Sequence, residues 1–313
     1  MTIVFFGSSE FSLAALQECL TQPLGVRLAV TTPNRRKGRG LAESPTPVRL
    51  FCEKQGIPVE APESLKSPEL VERIRNLQPE LFVVSSYGKM IPSSWLKIPA
   101  RAALNVHPSL LPKYRGAAPL NWPILVGESE TGVSIAEVTD RLDAGDIFEQ
   151  IAVPIGPRTD SQQLGAELAR LSQVALARVL EQIEGGNLKR ILQEESRSSY
   201  ARKLTKEDGL LDWQLSAWEL DRKVRGLKPW PGAYAHFRGE PLRILKAHPQ
   251  EAAGSGAQPG TILEIHGCGF LRIQTGKGAL CVETLKPAGK SEMTGAEFAH
   301  GKRLACGMLL ASP

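Results

Sequence analysis

Apolar residues show two textures along this chain. Up to residue 186, short apolar runs alternate with segments of helical spacing. Residues 2–6 form an apolar run that stops at Gly7, residues 12–20 carry apolar positions at helical spacing, and residues 26–30 form a second run. Residues 47–55 predict a helix with Pro47 early in it, and residues 67–77 predict another opened by Pro68. Residues 81–85 predict a strand buried on both faces, and residues 103–106 and 132–137 predict two more. This alternation predicts a doubly wound, parallel α/β sheet, Rossmann-like in kind. Ligands of such sheets bind at the carboxyl ends of the strands. A long amphipathic helix is expected over residues 160–184, ending at Gly185 and Gly186.

Beyond that point the texture changes. Residues 187–205 are rich in Arg, Glu and Ser and suggest a linker, and residues 206–228 suggest a short helix or two. Residues 241–246, 260–265, 270–275 and 278–285 are short, strand-like and separated by Gly or Pro, the signature of a small β-barrel. Residues 252–258 are expected to form an exposed loop, and no internal repeat is present. The expected organisation is a catalytic-type domain over 1–186, a linker over 187–205 and a C-terminal barrel over 206–313. A length of 313 residues suits two cores better than one.

Composition narrows the class. Apolar residues at 42% and charged residues at 23% match an ordinary globular protein. No run approaches the roughly 20 apolar residues of a membrane span, and the first residues lack the basic start and cleavage site of a secretory leader. Five scattered cysteines, with no C-x-x-C pair, indicate neither a disulfide framework nor a zinc site, so a reducing cytoplasm is expected. Charge is unevenly shared. Residues 1–186 carry 19 Lys+Arg against 20 Asp+Glu (net −1), which leaves 19 against 13 (net +6) for residues 187–313. A basic second half suits a polyanion, although solubilising charge explains it equally well.

Candidate chemistry gathers at one strand end. Asn105 and His107 stand two apart at the end of an apolar strand, so alternation puts them on one face. A loop rigidified by Pro108, Pro112 and Pro119 follows. Asp143 precedes the small residues Ala144 and Gly145, which permit close approach to a ligand and equally permit a plain Asx turn. An Asn, a His and an Asp at neighbouring strand ends can stabilise an oxyanion and move a proton, the two needs of acyl transfer. Gly7-Ser8-Ser9-Glu10 lacks the glycine spacing of a dinucleotide fold, which argues against a nicotinamide cofactor and leaves open an anion at that helix start.

The segment NVHPSLLPKYRGAAP, followed by LDAGD, resembles the folate-dependent formyltransferase family. The resemblance implies a Rossmann-like catalytic domain joined to an OB-like barrel, with 10-formyltetrahydrofolate as formyl donor and no metal. It implies Asn105, His107 and Asp143 as catalytic residues. It also implies a folate pocket walled by Ser109, Leu110, Leu111 and Pro112 on one side and by Tyr87, Gly88, Met90 and Ile91 on the other. All these walls lie before Gly116, so a chain ending near Gly186 is expected to keep them. The basic loop bearing Arg35, Arg36, Lys37 and Arg39 is similar to one found in the tRNA-acting members, and Trp230-Pro231-Gly232-Ala233 is similar to the start of their C-terminal domain. Taken as a solvated loop, the basic run has no function; taken with the resemblance, it is expected to meet the tRNA backbone. The implied acceptor is the free α-amino group of methionine on its initiator tRNA. A nucleotide-linked amino sugar is the alternative acceptor. A monomer in the cytoplasm, without membrane contact, is expected.

Overall fold

The structure is a computed structural model that describes residues 1–37, 42–251 and 256–310. Its elements run β1 (Ile3–Gly7), α1 (Phe11–Leu20), β2 (Val26–Val30), β3 (Arg35–Lys37), β4 (Ala42–Ser44), α2 (Pro47–Gln55), β5 (Val59–Glu60), α3 (Pro68–Asn76), β6 (Leu81–Ser85) and β7 (Ala102–His107). They continue with β8 (Arg115–Gly116), α4 (Trp122–Val126), β9 (Glu130–Glu137), β10 (Ile147–Pro154), α5 (Ser161–Glu184), β11 (Tyr200–Ala201) and α6 (Ala217–Gly226). Last come β12 (Ala233–Phe237), β13 (Glu240–Gln250), β14 (Ile262–Ile265), β15 (Leu271–Gln274), β16 (Ala279–Pro287), β17 (Met293–Thr294) and α7 (Gly295–Lys302).

The chain forms two compact units. The first comprises residues 1–119, 130–154 and 165–202; the second comprises 120–129, 155–164 and 203–313. The expected boundaries at 186 and 205 divide the chain differently. Residues 187–202 pack with the first unit, because β11 pairs in parallel with β8 and Ile191 bridges Ile147. Two short internal segments count with the second unit, an exchange along the chain that no composition shift announces.

The first unit is built on a seven-stranded sheet in the order β10-β9-β7-β6-β1-β2-β5. The five strands from β7 to β5 are parallel, as the alternation predicts, while β9 and β10 add antiparallel at one edge. β1 is fully buried along its length, as a central strand covered on both faces must be. Phe6 and Phe82 meet edge to face beneath Tyr87 and Trp95, and burying each such ring is worth about 1.5–3 kcal/mol. Helix starts obey their local chemistry: Thr46 caps α2 ahead of Pro47 by accepting from the Arg49 amide at 3.1 Å, and Ser67 caps α3 ahead of Pro68.

The second unit carries an antiparallel sheet in the order β12-β13-β16-β15-β14, with β17 beside β16. Register shifts in β13 and β14 bend these strands around a core that includes Leu220, Val224, Ile273, Leu280 and Phe298. A reciprocal capping box between Ser216 and Glu219 starts α6. Neither β12 nor α7 stands out in the apolar pattern, since both are short.

Of the basic loop, Arg35–Lys37 is a strand paired with Ala42–Ser44. Arg39 lies outside the described residues, as do residues 252–255 of the expected exposed loop. No helix among the described residues is long and apolar enough to cross a membrane.

Candidate active site

The strand ends bring Asn105, His107 and Asp143 together. Asn105 Nδ2 donates to Asp143 Oδ1 at 2.9 Å, and the Gly116 amide donates to Asp143 Oδ2 at 2.8 Å. His107 Nδ1 stands 3.7 Å from the same Oδ2, and its Nε2 lies 2.9 Å from the Tyr114 carbonyl. The His107 and Asp143 side chains are 5% and 9% exposed, so the cluster is shielded while remaining reachable. β9 runs antiparallel to β7, with Asn105 opposite Ala136 and His107 opposite Ser134, and the loop after β9 returns Asp143 to Asn105. Asp143 adopts a left-handed backbone (φ 51°), as do Tyr114 (φ 60°) and Ser86 (φ 47°). Such conformations in non-glycine residues cost about 1–3 kcal/mol each and cluster at functional sites.

Several supports of this cluster carry no signal in the sequence. Gln193, read there as part of a linker, donates from Nε2 to the Asp143 carbonyl at 2.9 Å and to the Gly145 carbonyl at 2.7 Å. Its Oε1 accepts from Arg115 Nε at 3.1 Å and Nη2 at 2.8 Å. Glu195 takes the other side of the same guanidinium, and it also pairs with Arg141. Arg115 and Arg141 together hold the Glu195 carboxyl below the usual range, the hydrogen bonds from Arg115 dominating. Gly145 has no freedom to be another residue, because a Cβ there would lie 2.1 Å from the Glu137 carbonyl oxygen.

The segment read as one folate wall is clamped from below. Ser134 Oγ donates to the Ser109 carbonyl at 2.6 Å and accepts from the Leu111 amide at 3.0 Å. Gln150 Nε2 donates to the Leu111 carbonyl at 2.9 Å and to Ser134 Oγ at 2.8 Å. The Leu111–Pro112 bond is cis. Ser109 and Leu111 are buried, whereas Leu110 and Pro112 are half-buried. Of the opposite wall, Gly88 and Met90 are exposed and Ile91 is buried. The Tyr87 ring is packed into the core against Phe6, so it backs the wall rather than facing a ligand. Burial pushes its phenol up to about 12, and its hydroxyl has no partner among the described residues. Exposed Met90 and half-buried Leu110 and Pro112 follow the carboxyl ends of the adjacent parallel strands β6 and β7.

At the anion position left open by the sequence, Ser8 Oγ is spent on its neighbours: it donates to the Tyr87 carbonyl at 3.3 Å and accepts from the Thr32 amide at 3.1 Å. No group of three or more His, Cys, Asp or Glu among the described residues is placed to hold a metal ion.

Known proteins resemble the chain over its whole length. The formyl transferase family matches residues 1–180, and the formyl transferase C-terminal domain matches residues 203–303. A methionyl-tRNA formyltransferase of Trichlorobacter lovleyi is 40% identical over 308 residues, 98% of this chain and 96% of the relative. One from Geobacter metallireducens is 37% identical over 310 residues, 99% of this chain and 98% of the relative. Among solved structures, a sugar 3N-formyl transferase determined with dTDP and 5-N-formyl-THF aligns with a TM-score of 0.68 at 17% identity, covering 93% of this chain and 99% of that one. HypX from Aquifex aeolicus, in complex with tetrahydrofolic acid, aligns with a TM-score of 0.60 at 21% identity, covering 95% of this chain and 46% of that one. At those identities the structures speak for the fold alone, while the sequence matches reach further: the chain belongs to the formyl transferase family.

Proposed function

We propose that this protein transfers the formyl group of 10-formyltetrahydrofolate to the free α-amino group of methionyl initiator tRNA, acting as a monomer in the cytoplasm. The observation that carries the reading is the identity of 37–40% with methionyl-tRNA formyltransferases over nearly the full length of both chains. The site supports it, because its three polar groups match the demands of formyl transfer. The five free cysteines suit a reducing compartment.

The attacking amine forms a C–N bond to the formyl carbon, and the carbonyl electron pair moves onto oxygen. Asn105 spends one amide hydrogen on Asp143 and keeps a second to donate to that oxygen. His107 Nε2 gives its hydrogen to the Tyr114 carbonyl, so Nδ1, at 3.7 Å from Asp143, donates to that oxygen as part of the protonated ring. One such donor to a developing oxyanion is worth roughly 3–4 kcal/mol of barrier. Asp143 takes the proton lost by the amine, directly or through water, while Asn105 and Gly116 fix its carboxylate. The oxyanion then re-forms the carbonyl as the bond from formyl carbon to the folate nitrogen breaks, and that nitrogen keeps the electron pair and receives the proton that Asp143 took from the amine. Donor binding falls to Leu110, Pro112 and Met90, which supply shape and apolar contact.

Labelled formyl donor offered with methionyl-tRNA, with a nucleotide-linked amino sugar and with water tests the assignment. Label is expected on the tRNA; label on the sugar would transfer the assignment to the alternative acceptor. His107→Ala, Asn105→Ala and Asp143→Ala are each expected to lower kcat by about 100-fold or more with the fold intact by circular dichroism. Near-normal turnover in the His107 variant would overturn its catalytic role.

A further inference from the structure

The proposed mechanism leaves one exposed aromatic side chain beside the site unused. Tyr200 opens β11 and pairs in register with Arg115. The residue is 65% exposed, an unfavourable place for so large an aromatic side chain. The ring lies directly over Gly116: a Cβ on that glycine (φ +114°) would stand 2.6 Å from Tyr200 Cε2 and 3.0 Å from Cζ. The amide of the same glycine donates to Asp143 Oδ2 at 2.8 Å. The aromatic ring and the carboxylate therefore flank a single residue with no side chain between them. Leu142, next to Asp143 in the chain, is 45% exposed. Apolar groups left in solvent beside a reacting centre mark a place where an apolar part of the substrate is laid down.

We propose that the Tyr200 ring, with Leu142, seats the amino-acid side chain of the acceptor, and so selects a methionyl over a polar aminoacyl group. The inference rests on the acceptor assigned above. The amine that Asp143 deprotonates is borne by the α-carbon, and the side chain branches from that same carbon. Whatever side chain the acceptor carries lies within a few bonds of Asp143, and the Tyr200 ring is separated from that carboxylate by Gly116 alone. A thioether is unbranched and polarisable and packs well against an aromatic ring. The amide of a glutamine side chain, of similar length, would be desolvated there without a hydrogen-bond partner. Gly116 is part of the device, since any larger residue would push the ring off its seat.

The test uses the full chain with initiator tRNA charged with methionine, norleucine or glutamine, and compares the parent with Tyr200→Ala and Tyr200→Phe. The parent is expected to favour methionyl and norleucyl over glutaminyl acceptors. Tyr200→Ala is expected to lose about tenfold in kcat/KM on the two apolar acceptors, chiefly through KM, and to be nearly unchanged on glutaminyl-tRNA, so that discrimination collapses. Tyr200→Phe should restore the parent pattern, since the ring and not its hydroxyl forms the seat. Equal losses on all three acceptors, or no loss on any, would overturn the proposal. A parent that moves no formyl to methionyl-tRNA would instead overturn the acceptor assignment, and the first measurement separates the two failures.

Discussion

Gln193 spends both ends of its amide on the site: its nitrogen holds the Asp143 and Gly145 carbonyls, and its oxygen holds Arg115. A loop with a left-handed aspartate at its centre needs such a tether, because the strained backbone gains by relaxing. Gln193→Glu separates the tether from simple packing. Size is kept, and so is the acceptor for Arg115, but both donations become repulsions between oxygens. The expected outcome is a kcat reduced roughly 10–100-fold, the usual range for groups that orient a functional side chain, with donor KM little changed. Stopped single-turnover assays read the chemical step; an unaltered step would show that Gln193 only fills space. The site residues themselves are legible in the sequence, because Asn105 and His107 share a strand and alternation fixes their common face. Gln193 and Glu195 are not, since a polar residue in a charged stretch looks the same whether it is solvated or folded back.

At the level of elements, the antiparallel pair β9–β10 matters more than the alternation of strands and helices suggests. It brings Ser134 and Gln150 under the 109–112 segment, where three hydrogen bonds hold a loop that contains no regular structure of its own and a fourth joins Gln150 to Ser134. Ser134 is fully buried, so Ser134→Ala leaves the Leu111 amide and the Ser109 carbonyl without that partner. A cost of about 1–3 kcal/mol is expected, visible in chemical denaturation, together with weaker donor binding by titration. A variant that binds donor like the parent would detach this clamp from the folate wall. The β3–β4 hairpin makes a second element-scale prediction. Neutralising Arg35, Arg36, Lys37 and Arg39 together is expected to reduce the log–log salt slope of tRNA binding by roughly 1 per lost phosphate contact, with donor binding preserved. An identical slope in the neutralised hairpin would remove it from the RNA interface.

The whole molecule divides its chain in a way that changes what truncation should do. A fragment ending at Gly186 keeps Ser109 to Pro112 and Met90, which the order of the sequence alone presents as sufficient. It loses residues 187–202, and with them both partners of Arg115, a guanidinium in a residue only 8% exposed. The cut also removes the β11–β8 pairing, the Ile191–Ile147 bridge and the Gln193 tether of the 143–145 backbone. The fragment is therefore expected to lose cooperative melting and donor binding together. Sharp melting with full donor affinity would show that the 187–202 segment is dispensable to the first unit.

Local chemistry settled much of this protein before any folding was considered. The apolar runs of β1, β2 and β6, the Thr46 and Ser67 caps ahead of prolines, and the pairing of Asn105 with His107 on one face all follow from periods of two and 3.6 residues and from hydrogen bonds within a few positions. Tertiary structure decided what those rules cannot reach. It turned β9 and β10 antiparallel, folded 187–202 back onto the 141–146 loop, laid Tyr200 across Gly116 and packed the Tyr87 ring into the core against Phe6. Each of these depends on partners tens of residues away, and the preference of a side chain for its neighbours in sequence says nothing about which distant carbonyl, ring or charge it will meet.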